Sequence, residues 1–248
     1  MVYQSDFVKP WWFSSPKPTI IILGIYLFLV TVALKKFMKN RPAYSLKRFI
    51  FVYNMYQLVY CTYLIYIVGK ANPQMWKIWT CYTNVESYDP EEYFLWNVQY
   101  WGRIVDLVET AVFVLRKKDN QVSFLHLFHH CNTTMIVSLA VHYHFRDQGH
   151  FGMFLNAWCH LLMYIYYQAA ALLPTSTMKK FQWFKKSITA IQMIQFAMML
   201  LQGFLHIFVS KCNYHKVVIV PLGVIAVFFY MFFDFYKANY LKRKVNKS

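Results

Sequence analysis

The chain has 248 residues, of which 58% are hydrophobic and only 15% charged, with a formal net charge of +16. That balance excludes an ordinary soluble domain and points to a membrane protein. The charge does not indicate a nucleic-acid binder, because the basic residues cluster at the ends of apolar runs and no aromatic-basic module lies between them.

In chain order the apolar runs predict seven membrane spans, at about 18–36, 49–68, 93–115, 122–142, 151–173, 187–209 and 217–236, within a single membrane domain 1–248. The first run is followed by no small-residue cleavage site and reads as a retained span rather than a signal peptide. The second, Phe49 to Val68, carries no charge, whereas the seventh is interrupted by Asp234. The third, fourth and fifth carry polar residues and are expected to turn them toward a protein interior rather than toward lipid. Of the 26 Lys and Arg, 18 fall in loops on one side, which makes that side cytosolic, with the N-terminus luminal and the C-terminus cytosolic. On this map Cys81 and Cys212 both lie in luminal loops and form a plausible disulfide. Cys61, Cys131 and Cys159 lie inside spans and read as small apolar residues. The sequons at Asn132 and Asn246 fall in a span and on the cytosolic side, and carry no information.

The stretch "SFLHLFHH" puts His126, His129 and His130 at the start of the fourth span. On a helix the three share an arc of roughly 100°, with His129 roughly 10 Å from the cytosolic face. The fifth span adds Asn156 and His160, four apart on one face. The third adds Arg103, Asp106, Glu109 and Thr110 within roughly 120°. A buried ionisable group costs about 2.5–3.5 kcal/mol on insertion scales, so these groups are expected to pair or to line a cavity. One cavity opening to the cytosol is the simplest shared destination. A lone histidine in a span is ordinarily a packing or hydrogen-bonding residue. Four histidines, a charged triplet and an asparagine on three successive spans go beyond that.

Two chemistries compete at this point. HxxHH can supply imidazole ligands to a metal, as in a membrane lipid oxygenase or hydrolase. The remaining candidate ligands, His142, His144 and His150, lie roughly 20 Å away by helix rise. The other chemistry is metal-free acyl transfer, in which a neutral imidazole is both a nucleophile and a general base. A third, non-enzymatic reading is a seven-helix receptor, which would not need these groups to converge.

The motifs "HLFHH" and "NAWCHLLMYIYY" resemble the HxxHH and NxxxHxxMYxYY signatures of the very-long-chain fatty acid elongases. "TAIQMIQF" and "FVLRKK" resemble the TxxQxxQ segment and the end of span three of that family. The likeness runs from about Ser15 to Tyr236 in the family's order, and the aromatic-rich luminal segments resemble insect members. One departure stands out. The family's K-x-x-E-x-x-D-T is here Arg103, Asp106, Glu109 and Thr110, with signs of charge kept and side-chain lengths exchanged.

The resemblance implies an all-helical fold, six helices forming an inverted barrel around a tunnel with the first span outside, in the endoplasmic reticulum membrane. It implies condensation of a long-chain acyl-CoA with malonyl-CoA to a 3-oxoacyl-CoA, CO₂ and CoA, by a very-long-chain 3-oxoacyl-CoA synthase that needs no cofactor. His129 would take the acyl group with His160 assisting, while His126 and His130 orient the imidazoles or handle malonyl decarboxylation. Asn156, Gln192 and Gln195 would donate to thioester or enolate oxygens. Arg116, Lys117, Lys118, Lys185 and Lys186 would meet the CoA phosphates. Arg103, Asp106, Glu109 and Tyr166 complete the expected substrate-binding set. Implied partners are membrane lipid, the ketoacyl reductase, dehydratase and enoyl reductase of the elongation cycle, and a second copy of the chain; nucleic acid is not among them.

Overall fold

The structure, a computed structural model, describes residues 15–80, 90–142, 147–210 and 219–241. Among them there is no strand, and eight helices follow one another. They are α1 (Lys17–Met38), α2 (Lys47–Ala71), α3 (Pro90–Leu115), α4 (Phe124–His142), α5 (Asp147–Leu172), α6 (Thr175–Lys180), α7 (Gln182–Phe204) and α8 (Ile219–Tyr236). A π turn, Leu29–Ala33, lies within α1, and others prolong α7 to Val209 and α8 to Leu241. Seven of the eight coincide with the predicted runs. The short α6 was not anticipated: Pro174 stands at its N-cap, in a connection that reads from sequence only as basic.

Among the described residues four helices are long and apolar enough to cross a membrane: Lys17–Met38, Lys47–Ala71, Gln182–Val209 and Ile219–Leu241. The outward side chains fit that. Ile21, Val52, Val59, Tyr66, Phe208 and Tyr230 are each more than 60% exposed, an apolar surface that lipid rather than water would cover.

Local chemistry sets the helix ends. Pro16 and Pro18 start α1, where a missing N–H costs nothing. Glu91 and Glu92 occupy the first turn of α3, complementing its dipole. At the far end Lys117 turns left-handed, with φ 53°. The Lys118 amide then reaches the Phe113 carbonyl at 2.9 Å and the Lys117 amide the Val114 carbonyl at 3.0 Å, which closes the last turn.

The chain divides into two compact units, Met1–Ala43 with Tyr100–His144, and Tyr44–Gln99 with Phe145–Ser248. In the first, Leu23, Tyr26 and Val30 of α1 pack with Leu107 and Val114 of α3, flanked by Leu127, Cys131 and Met135 of α4. Hydroxyl pairs join the same helices. Thr19 Oγ1 lies 3.1 Å from the Tyr100 hydroxyl and 2.8 Å from Ser138 Oγ, and the Tyr26 hydroxyl lies 2.7 Å from Thr110 Oγ1. Polar groups away from water must be paired in this way.

In the second unit α2 and α5 run antiparallel. Tyr53 meets Tyr164, with ring centroids 6.2 Å apart, and Gly69 faces Phe154 at the opposite end. Helices α7 and α8 pack through Phe196 against Phe228 and Phe232, at 5.8 and 5.2 Å. The start of α3 is tied in by the Tyr60 hydroxyl, which donates to Gln99 Oε1 at 2.9 Å.

Candidate functional site

The HLFHH stretch occupies the first turns of α4, so its 3.6-residue period decides which rings meet. His126 and His130, four apart, have centroids 4.3 Å apart at 61°, and His129 lies 5.5 Å from His130 at 87°. His130 is buried, and His126 and His129 are partly so. Helix α3 supplies the facing groups. Arg103, Asp106 and Thr110 are buried and Glu109 is nearly so, as their spacing predicts.

An ion pair and a carboxylate–imidazole contact lie along this face. Arg103 Nη2 and Asp106 Oδ2 are 3.1 Å apart, and Glu109 Oε2 is 3.8 Å from His130 Nε2. Thr110 Oγ1 is 2.9 Å from His126 Nε2, and the Phe113 and His126 ring centroids are 5.3 Å apart. One ligand atom from each of Glu109, His126 and His130 falls within 4.8 Å of the others, so a carboxylate of α3 completes a three-ligand set that HxxHH alone lacks.

The second unit carries the remaining candidates. On α5, Asn156, His160 and Tyr164 recur every fourth residue; His160 and Tyr164 are buried, with centroids 6.1 Å apart, and Asn156 is half-buried. Tyr166 is half-buried, its ring 6.2 Å from Phe184 of α7. Gln195 is buried and its Nε2 lies 3.6 Å from Met199 Sδ, whereas Gln192 is half-buried and Lys185 exposed. Lys186 Nζ stands 5.5 Å over the Tyr236 ring. In the first unit Lys117 and Lys118 are exposed and Arg116 is half-buried.

Cys61 and Cys159 are buried and Cys131 packs beside an apolar cluster, in keeping with their apolar reading. Cys81 and Cys212 lie outside the described residues. His150, just outside the fifth predicted span, is fully buried in α5, where its Nε2 is 2.8 Å from Glu92 Oε1. The same carboxylate oxygen accepts the Trp96 indole N–H at 2.8 Å. Sequence reading also gave no sign of the contact between the Tyr26 and Thr110 hydroxyls, because nothing separates Tyr26 from the apolar residues around it in α1.

An all-helical, multi-pass membrane protein with imidazoles and carboxylates turned inward defines the class. Comparison with known proteins defines the family. The model of the ELO family, described as GNS1/SUR4 family, matches residues 11–248. Very long chain fatty acid elongase 7 of Drosophila melanogaster is 36% identical over 241 residues, 93% of this chain and 70% of that protein. Very long chain fatty acid elongase 1 of Homo sapiens is 32% identical over 236 residues, 93% of this chain and 84% of its own length. Very long chain fatty acid elongase F of Drosophila simulans is 33% identical over 243 residues, 93% of this chain and 90% of its own. The chain belongs to the ELO family, and with it to the multi-pass membrane enzymes of fatty acid elongation.

Proposed function

We propose that the protein catalyses the condensing step of elongation, joining a long-chain acyl-CoA to malonyl-CoA to give a 3-oxoacyl-CoA two carbons longer, CO₂ and free CoA. The observation that carries this reading is the packing of His126, His129 and His130 against one another, with Glu109 of α3 beside His130. Low-dielectric surroundings disfavour charged imidazole and keep it nucleophilic.

In the proposed first half-reaction an imidazole nitrogen of His129 attacks the thioester carbonyl. The C–S bond breaks, and the CoA thiolate leaves with the proton that the ring gives up. In the second, malonyl-CoA loses CO₂ and the electron pair of the broken C–C bond remains as an enolate. Its α-carbon attacks the acyl-imidazole carbonyl, and His129 departs and regains a proton. His160, Asn156, Gln192 and Gln195 are assigned to assist at the thioester and enolate oxygens, which develop negative charge. Arg116, Lys117, Lys118 and Lys185 are assigned to the CoA phosphates, and burial of the acyl tail would contribute about 0.8 kcal/mol per CH₂.

The finer architecture belongs to the same proposal: seven spans, six of them around a substrate tunnel, a luminal N-terminus and residence in the endoplasmic reticulum. The 3-oxoacyl-CoA product requires a reductase, then a dehydratase and an enoyl reductase, to regenerate a saturated chain.

Purified protein given acyl-CoA alone should release CoA and gain the acyl mass on the peptide that contains His129. His129→Ala should abolish both. An adduct that persists on Cys131 would refute the histidine assignment.

The three-ligand set of Glu109, His126 and His130 favours a second reading, a divalent metal bound there. Elemental analysis decides between them. Stoichiometric iron or zinc that is lost in His126→Ala would replace the metal-free reading with a metal-dependent lipid oxygenase or hydrolase.

A further inference from the structure

Hydroxyls inside these helices mostly turn back on their own backbone. Thr31, Thr62, Thr133 and Thr134 donate to the carbonyl four residues earlier at 2.6, 2.8, 2.8 and 2.8 Å, the usual habit of a helical threonine. Thr110 does not. Its hydroxyl stands between the Tyr26 hydroxyl at 2.7 Å and His126 Nε2 at 2.9 Å. Thr110 is fully buried, and Tyr26 nearly so.

We propose that Tyr26, on the first helix of the chain, is a positioning residue for the elongation reaction, acting through Thr110 to hold His126 with Nε2 as acceptor and Nδ1 as donor. The role in the reaction rests on the function proposed above; the tautomer does not. The three groups leave one arrangement in which every proton has a partner. Tyr26 has one O–H, and Thr110 is its hydrogen-bond partner among the described residues, so Tyr26 donates to Thr110 Oγ1. The Thr110 proton then has His126 Nε2 as its acceptor. The reverse direction, from His126 Nε2–H through Thr110 to Tyr26, leaves the tyrosine proton buried and orphaned, which native structures avoid.

This divides the labour among the three imidazoles. With Nε2 occupied, His126 has no free lone pair and serves as an N–H donor, not as a base or nucleophile. The acyl group then falls to another ring, His129 in the mechanism proposed above. Without the Tyr26 hydroxyl, Thr110 would be free to revert to the carbonyl of its own helix. It could then accept from His126, and the tautomer would invert.

The test uses the full-length enzyme in detergent, with acyl-CoA and labelled malonyl-CoA. Tyr26→Phe and Thr110→Val should each lower kcat by between about 10- and 100-fold, as small misplacements at a reacting centre do, while the acyl-CoA KM stays within about twofold. The double variant should be no worse than Thr110→Val alone. Thr19→Val removes the other buried hydroxyl contact of α1, with Tyr100 and Ser138. It should lower thermal stability and leave kcat per folded molecule unchanged. Nitrogen-15 NMR of histidine-labelled protein reads the tautomer without turnover, and should show an unprotonated Nε2 on His126 that becomes protonated in Tyr26→Phe. A wild-type kcat in folded Tyr26→Phe, additive losses in the double variant, or a protonated wild-type Nε2 would overturn the proposal. If the wild-type protein condenses nothing, the functional reading fails instead, and the NMR result decides the positioning claim alone.

Discussion

The buried pair of Arg103 and Asp106 offers a quantitative test, because its two halves can be removed separately or together. The charged atoms are 3.1 Å apart, with side-chain exposures of 3% and 2%. Arg103→Met leaves the Asp106 carboxylate buried without its guanidinium, and Asp106→Leu leaves the guanidinium without its carboxylate. Either loss should cost about 3–5 kcal/mol, the range for breaking a buried pair from one side. For a chain of this size that corresponds to a drop of about 6–20 °C in Tm. Replacing both with apolar residues of similar volume removes the two desolvation penalties along with the attraction, so Arg103→Met/Asp106→Leu should return to within about 4 °C of the wild type. The assay is thermal unfolding in a single detergent, followed by tryptophan fluorescence and by monodispersity on size exclusion. Because Arg103 and Asp106 belong to the substrate-binding set of the proposed function, the stable double variant should still be impaired in acyl transfer, which separates folding from chemistry. Single variants within about 2 °C of wild type, or a double variant as unstable as the two losses combined, would refute the reasoning.

Two further perturbations address packing and the basic segment. A Cβ on Gly149 would run into the Trp96 ring, with Cζ2 at 2.7 Å, and that ring is anchored by its indole N–H to Glu92. Gly149→Ala should therefore destabilise by about 1–3 kcal/mol. Gly152→Ala meets the mobile terminal methyl of Met199 and should shift the Tm less, a comparison made in the same unfolding assay. Lys117 holds the left-handed turn after α3. Lys117→Gly should raise stability by about 1 kcal/mol, and if Lys117 also meets CoA phosphates, the acyl-CoA KM should rise at the same time.

How far the sequence reaches depends on which forces it displays. Four of the seven long helices were legible as long apolar runs with few charges and the other three as apolar runs that carry polar residues, and the faces of α3 and α4 followed from spacing alone. Arg103, Asp106, Glu109 and Thr110 do share one buried face, and the His126 and His130 rings do meet, edge to face, one turn apart. The closure of the His126, His130 and Glu109 set was not legible, since periodicity fixes a face of one helix but not the register between two. The partners of His150 escaped for the same reason: Glu92 is 58 residues away in sequence, and the helix end that buries the histidine extends past the apolar run. Tyr26 gave no signal at all. A tyrosine in an apolar span looks like any other aromatic until a hydroxyl from another helix is placed opposite it. Helix α6 is short and polar, so neither length nor hydropathy marks it.

The most direct test of the account is intact-protein and peptide mass spectrometry of the enzyme after incubation with a long-chain acyl-CoA and no malonyl-CoA. The account predicts one acyl mass on His129, discharged as a 3-oxoacyl-CoA when malonyl-CoA is added. An unmodified His129 in protein that nonetheless completes the condensation would contradict it.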